Sequence, residues 1–244
     1  MDDERLLQTT LTGEVVQPIR LYYQIVDKKR LIDRFKQLRC MDLDRTNNRW
    51  VWLYSHESKM LKFRKSYQSI PKEMHPIVIG SFFLRNGDEL LLDLRSFERA
   101  IKAIPFFDKH IGPDAARVTY AAVVNRLFDV KEQFFPNLDV FFCSDEMTEN
   151  NMDESVPEVE EFPLHFYEDG ITSIEASLRL RQIMAFEHWK GNTDCTLFDV
   201  IKKAISGWKI VVVDQSAKAI LRVDSIALTF ILEIVVDLFV LSRT

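Results

Sequence analysis

The chain has 244 residues, 47% apolar and 28% charged, with a formal net charge of −5. That balance excludes a disordered chain, and the length is enough to bury one large core or two ordinary ones without covalent staples. Cys40, Cys143 and Cys195 are odd in number and far apart, which excludes a disulfide framework or a paired-cysteine zinc site and fits a reducing, cytoplasmic compartment.

In chain order, the opening MDDERLLQTT is acidic and polar and lacks the charged-then-apolar pattern of a secretory leader. Ile19–Val26 (IRLYYQIV) is aromatic and β-branched and predicts a strand. Asp27 is placed to cap a following helix whose apolar face is Leu31, Ile32, Phe35 and Leu38. A turn at Asn47-Asn48 leads into a strand over Trp50–Tyr54. Ile77–Arg85 and Leu90–Arg95 flank Asn86-Gly87-Asp88, and Asn-Gly between apolar runs predicts a hairpin because both residues tolerate positive φ. Ser96 opens a helix with Phe97, Ala100, Ile101 and Ile104 inward, which Pro105 is expected to end or kink. Ala116–Val124 and Leu138–Phe142 complete the strand candidates.

From Asp145 to Asp169 the chain holds ten carboxylates and no lysine or arginine, the composition of a linker or long solvated loop. Beyond it, Thr172 and Glu175 form a capping-box pair, and the helix they open runs to about Trp189, with Gly191 suited to its C-terminal end. Thr196 opens a second helix through Leu197, Val200, Ile201, Ala204 and Ile205, closed by Gly207. Lys209–Asp214 reads as a short buried strand and the region from about Ala217 as a long apolar terminal helix. Glu233 and Asp237 within SIALTFILEIVVDLFVLS argue for a core helix over a membrane anchor, since a mid-bilayer carboxylate costs about 2.5–3.5 kcal/mol. The expected fold is therefore α+β. Residues 1–144 form a mixed or antiparallel sheet domain with two packed helices, 145–169 an acidic linker, and 170–244 a mainly helical part that can pack with the first as one unit.

No chemical motif stands above composition. No two of the seven glycines lie closer than seven residues, which removes the phosphate-cradling loops of nucleotide-binding proteins, and with them a nucleotide cofactor. The five histidines share no ligand spacing. Glu57-Ser58-Lys59, downstream of Asp42 and Asp44, has the acid-plus-ExK arrangement of metal-dependent nucleases, in which carboxylates hold a divalent ion and the lysine steadies the phosphate. With 17 Glu and 15 Lys, about one such triplet arises by composition alone. No metal or other cofactor is expected.

Charge layout is more informative. Arg20 to Lys72 carries 14 basic and 5 acidic residues, while the 145–169 stretch is purely acidic, so the overall −5 conceals two opposed regions. Trp50, Trp52 and Tyr54 fall at period two on one sheet face among Arg45, Arg49, Lys62, Arg64 and Lys65. The leading expectation is a non-enzymatic binding or regulatory protein acting through a protein partner or self-association, with no membrane involvement. The first alternative is a single-stranded nucleic-acid binder that stacks bases on the Trp50, Trp52 and Tyr54 rings and meets phosphates with the neighbouring cations. The second is a metal-dependent phosphodiesterase built from Asp42, Asp44, Glu57 and Lys59. Exposure of the three rings separates the first two.

Overall fold

The computed structural model describes residues 6–85, 89–132, 137–142 and 159–206. The chain divides into two compact units, Met1–Asp194 and Cys195–Thr244. The first is built on a seven-stranded antiparallel sheet. Its strands are β1 (Ile19–Ile25), β2 (Met41–Asp44), β3 (Arg49–Leu53), β4 (Val78–Arg85), β5 (Glu89–Leu94), β6 (Ala116–Val124) and β7 (Val159–Pro163). Their spatial order is β2-β3-β4-β5-β1-β6-β7. The α+β class and the antiparallel sheet agree with the sequence expectation.

Because side chains alternate along a strand, the register divides the sheet into two faces. One row across it reads Leu43, Trp50, Phe82, Leu92, Leu21, Ala121 and Phe162. This apolar face packs under α1 (Lys28–Gln37), α2 (Phe97–Ile111) and α4 (Phe166–Trp189), with Leu31 and Phe35, Ala100, Ile104 and Phe107, and Ile174 and Leu178 in one continuous core. The adjacent row reads Asp42, Val51, Ser81, Asp93, Arg20, Ala122 and Glu161, and so the opposite face is polar.

The helix starts follow local chemistry. Asp27 accepts from the Arg30 N–H and Ser96 from the Arg99 N–H, each satisfying an orphan donor of the first turn. Pro105 does not end α2, which runs on to Ile111 and closes at Gly112. The missing N–H is outweighed because Phe106, Phe107 and Ile111, beyond the proline, are all buried. The expected hairpin is present in the pairing of β4 with β5, where Arg85 faces Glu89.

Three expectations are corrected. Leu138–Phe142 is not a strand. Asp139–Phe142 forms a single turn of helix, α3, started by the Asn137 side chain accepting from the Asp139 N–H. The turn directs the Asp139 carboxylate onto Arg20 and Arg85 of the polar sheet face. The stretch 145–169 is not a linker throughout, because Val159–Pro163 is an edge strand paired with β6. Its charge is compatible with a strand: Glu160 pairs with Arg181, and Glu161 accepts from the Tyr22 hydroxyl. Finally, α4 starts at Phe166 and is interrupted at Gly170, whose φ of 76° is outside the helical range. The helical segment that resumes after Gly170 places Thr172 in its first turn and not at the N-cap, and Glu175 pairs with Arg179 instead of closing a capping box.

The boundary between the two compact units falls after Asp194. Gly191 occupies a positive φ at the end of α4, as expected. In the second unit, α5 (Leu197–Ser206) begins with a reciprocal cap: Thr196 Oγ1 accepts from the Asp199 N–H, and the Asp199 carboxylate accepts from the Thr196 N–H. The acidic residues 145–158, the strand expected over Lys209–Asp214 and the terminal apolar helix lie outside the described residues. Among the described residues, no helix is long and apolar enough to cross a membrane.

Candidate functional site

The connection from β3 to β4, residues 54–77, is long and has no strand or α-helix of its own. It folds instead as three short 3-10 turns, His56–Met60, Tyr67–Ser69 and Lys72–Met74. Long irregular connections of this type are commonly functional when their own side chains pack them. Here the packing centres on Tyr54. Its ring meets Phe63 edge-on at 5.0 Å and Tyr67 at 5.7 Å, and its hydroxyl donates to the Leu61 carbonyl at 2.9 Å. Tyr67 in turn stacks edge-on with His75. The Lys65 N–H donates to the Thr12 carbonyl, pinning the loop to the N-terminal segment.

The aromatic platform required by the nucleic-acid alternative is not a surface. Trp50 is 8% exposed, Trp52 fully buried and Tyr54 2% exposed. Trp50 packs on Phe35 of α1, and Trp52 on Phe106 and Phe107 of α2, with centroids 4.8–5.4 Å apart. The period-two placement on one face was as predicted, but that face is the one the helices cover. Burying rings this large beneath helices is strongly favourable, and no base can reach them.

Most of the cations grouped with these rings do face solvent. Arg45, Lys62, Arg64 and Lys65 are exposed, whereas Arg49 is half-buried on the polar sheet face, where its Nε donates to Asp44 at 3.0 Å. Arg64 approaches Glu98 at 3.4 Å, while Lys62 and Lys65 have no side-chain partner among the described residues. Lys72, equally exposed and unpartnered, and the exposed methionines Met60 (85%) and Met74 (52%) extend the same loop surface. These three were not singled out from the sequence. The available signal was the length of the connection and its lack of either apolar period.

The nuclease-like set does not assemble. Asp42 is exposed on the edge strand β2. Asp44 caps the β2–β3 turn, and hydrogen bonds from Asn47, then Arg49, hold its carboxyl below the usual range. Glu57 accepts from the Cys40 N–H at 2.9 Å and from Arg39 at 3.3 Å. Burial pushes its carboxyl up, but the Glu57 and Cys40 N–H groups and the Arg39 guanidinium outweigh that and hold it at about 2. Lys59 lies 4.1 Å above the Tyr67 ring, a cation–π contact within the loop. Among the described residues, no three His, Cys, Asp or Glu side chains converge where they could hold a metal ion. Burial, with the Glu57 carboxylate beside it, pushes the Cys40 thiol up to about 12, so Cys40 is not a poised nucleophile.

Comparison with protein-family models, curated proteins and solved structures finds no match for this chain.

Proposed function

We propose that this is a non-enzymatic binding protein that engages an acidic protein partner through the outer surface of the 54–77 connection. One observation carries the reading: the aromatic side chains of the loop turn inward, while Lys62, Lys65 and Lys72 stand exposed without side-chain partners among the described residues. An ordinary solvated face also carries charge, but here two exposed methionines, Met60 and Met74, bracket the exposed lysines along a loop held in shape by its own core. Methionine adapts to irregular apolar contacts, and lysines at the rim of an interface steer an acidic partner and set its register. The partner's chemistry is therefore acidic, with apolar side chains among the carboxylates.

The test is retention of proteins from a cell extract, treated or untreated with nuclease, by the full chain and by the Lys62→Glu/Lys65→Glu/Lys72→Glu variant. The expected result is an acidic protein retained equally with and without nuclease, and bound at least tenfold more weakly, about 1.4 kcal/mol, by the variant. Surface substitutions of this kind change folding stability by about 0.5 kcal/mol or less, so the variant remains folded. Retention abolished by nuclease would assign the surface to nucleic acid instead. Undiminished retention by the variant would remove the surface from consideration.

A further inference from the structure

A second site lies on the polar face of the sheet and is independent of the partner surface. Residues 8–11 cross this face, and with Asn137 and Leu138 they wall a cleft of about 590 Å³ over β3, β4 and β5. Small-molecule sites are typically about 300–1,000 Å³. Arg49 from β3, Arg95 following β5 and Arg99 from α2 all line this cleft, together with Ser81 and Asp93.

Three guanidinium groups around one recess repel one another. Burial, then the approach of Arg49, draws the Arg95 guanidinium below its usual range, with Asp93 acting in the opposite sense. Arg99 is lowered to about 10 by burial, with Glu14 opposing and Arg95 adding to the effect. The nearby carboxylates are engaged, except that Glu14 Oε1 is buried with no hydrogen-bond partner among the described residues. Asp93 is gripped by Arg20 through two bonds of 2.6 and 2.9 Å, Asp44 holds Arg49 Nε, and Glu14 accepts from the Thr12 hydroxyl at 2.6 Å.

Donor capacity nevertheless remains. Arg49 uses Nε on Asp44 and approaches Ser81 Oγ with Nη1 at 3.4 Å, leaving Nη2 with no partner among the described residues. Arg99 spends Nη2 on Thr12 and Nη1 on the Ile79 carbonyl. Its Nε is buried with no hydrogen bond and makes only a looser ion pair with Glu14 Oε2 at 3.7 Å, so the open donor edge is that of Arg49. An unused, partly enclosed guanidinium edge beside further arginines is suited to the oxygens of a phosphate group, which accept from planar N–H pairs.

We propose that this cleft binds a small phosphorylated molecule, with Arg49 as the principal phosphate ligand. The test uses the full chain and the probes sodium phosphate and sodium pyrophosphate, each compared with sodium chloride at equal ionic strength, reading the thermal midpoint and binding heat. Saturable stabilisation by both probes is expected, absent with chloride. Arg49→Gln should abolish it. Arg49→Lys, which keeps the charge and loses the fork, should weaken binding at least tenfold. Lys36→Gln, on the exposed side of α1, should leave it unchanged. A midpoint shift equalled by chloride, or binding heats equal to wild type in both folded Arg49 variants, would overturn the proposal.

Discussion

Trp52→Ala is expected to destabilise the Met1–Asp194 unit by about 3–5 kcal/mol, measured by denaturant unfolding. The side chain is fully buried and wedged between Phe106 and Phe107 of α2, and Gly80 on the neighbouring strand leaves room for it: a Cβ there would lie 3.2 Å from the Trp52 ring. Truncation removes the transfer energy of an indole and leaves a cavity that a helix and a strand on either side cannot close. Since small domains are stable by only about 5–15 kcal/mol, this one change removes a large share of the total. An exposed stacking residue would instead show a change near zero, so the measurement also separates a core role from a platform role.

Arg20→Met should cost a similar amount at neutral pH, about 3–5 kcal/mol, for a different reason. Arg20 is 1% exposed and Asp93 7%; the pair is bidentate, Arg20 also bonds Asp139 at 2.7 Å, and its guanidinium lies 4.8 Å from the Phe142 ring. Methionine fills much of the space but leaves the Asp93 carboxylate buried without its main cation. Burial already raises the Asp93 carboxyl above its ordinary range, with Arg20 holding it down. Removing Arg20 raises it further. A carboxyl raised by folding binds its proton more tightly in the folded state, so its ionisation costs stability as pH climbs past the unfolded value. The deficit of the variant relative to wild type should therefore be largest at neutral pH and shrink as the solution is acidified towards the ordinary carboxylate range. A deficit independent of pH would mean that lost packing, not the orphaned carboxylate, accounts for it.

Much of the fold was legible because local chemistry and tertiary structure agree. Asp27 and Ser96 cap the helices they precede, the strands on either side of residues 86–88 pair as expected, and the alternation in Trp50–Tyr54 placed its rings on one face. The misreadings occur where tertiary contacts overrule composition. The strand β2 is four residues with two aspartates, and β7 contains adjacent glutamates, so neither has an apolar period to detect. Both are edge strands, where charge is tolerated and protects against further pairing. Pro105 is carried through α2 by the burial of the residues after it. For the candidate sites, the excess of cations in the 45–72 region was visible in sequence, but which face the rings take was not, because period two identifies a shared face and not what covers it. The arginine cleft was not legible at all. Arg49 comes together with Arg95 and Arg99 only through the pairing of β3 with β4 and β4 with β5, and nothing in local spacing marks that meeting.

The central claim, that the partner sits on the cationic outer surface of the 54–77 connection, is tested most directly by amine cross-linking of the chain to the protein it retains, with the linked lysines located by mass spectrometry. Links should concentrate at Lys59, Lys62, Lys65 and Lys72, all exposed on this loop. Links confined to exposed lysines elsewhere, such as Lys28, Lys36, Lys109 and Lys190, would contradict it.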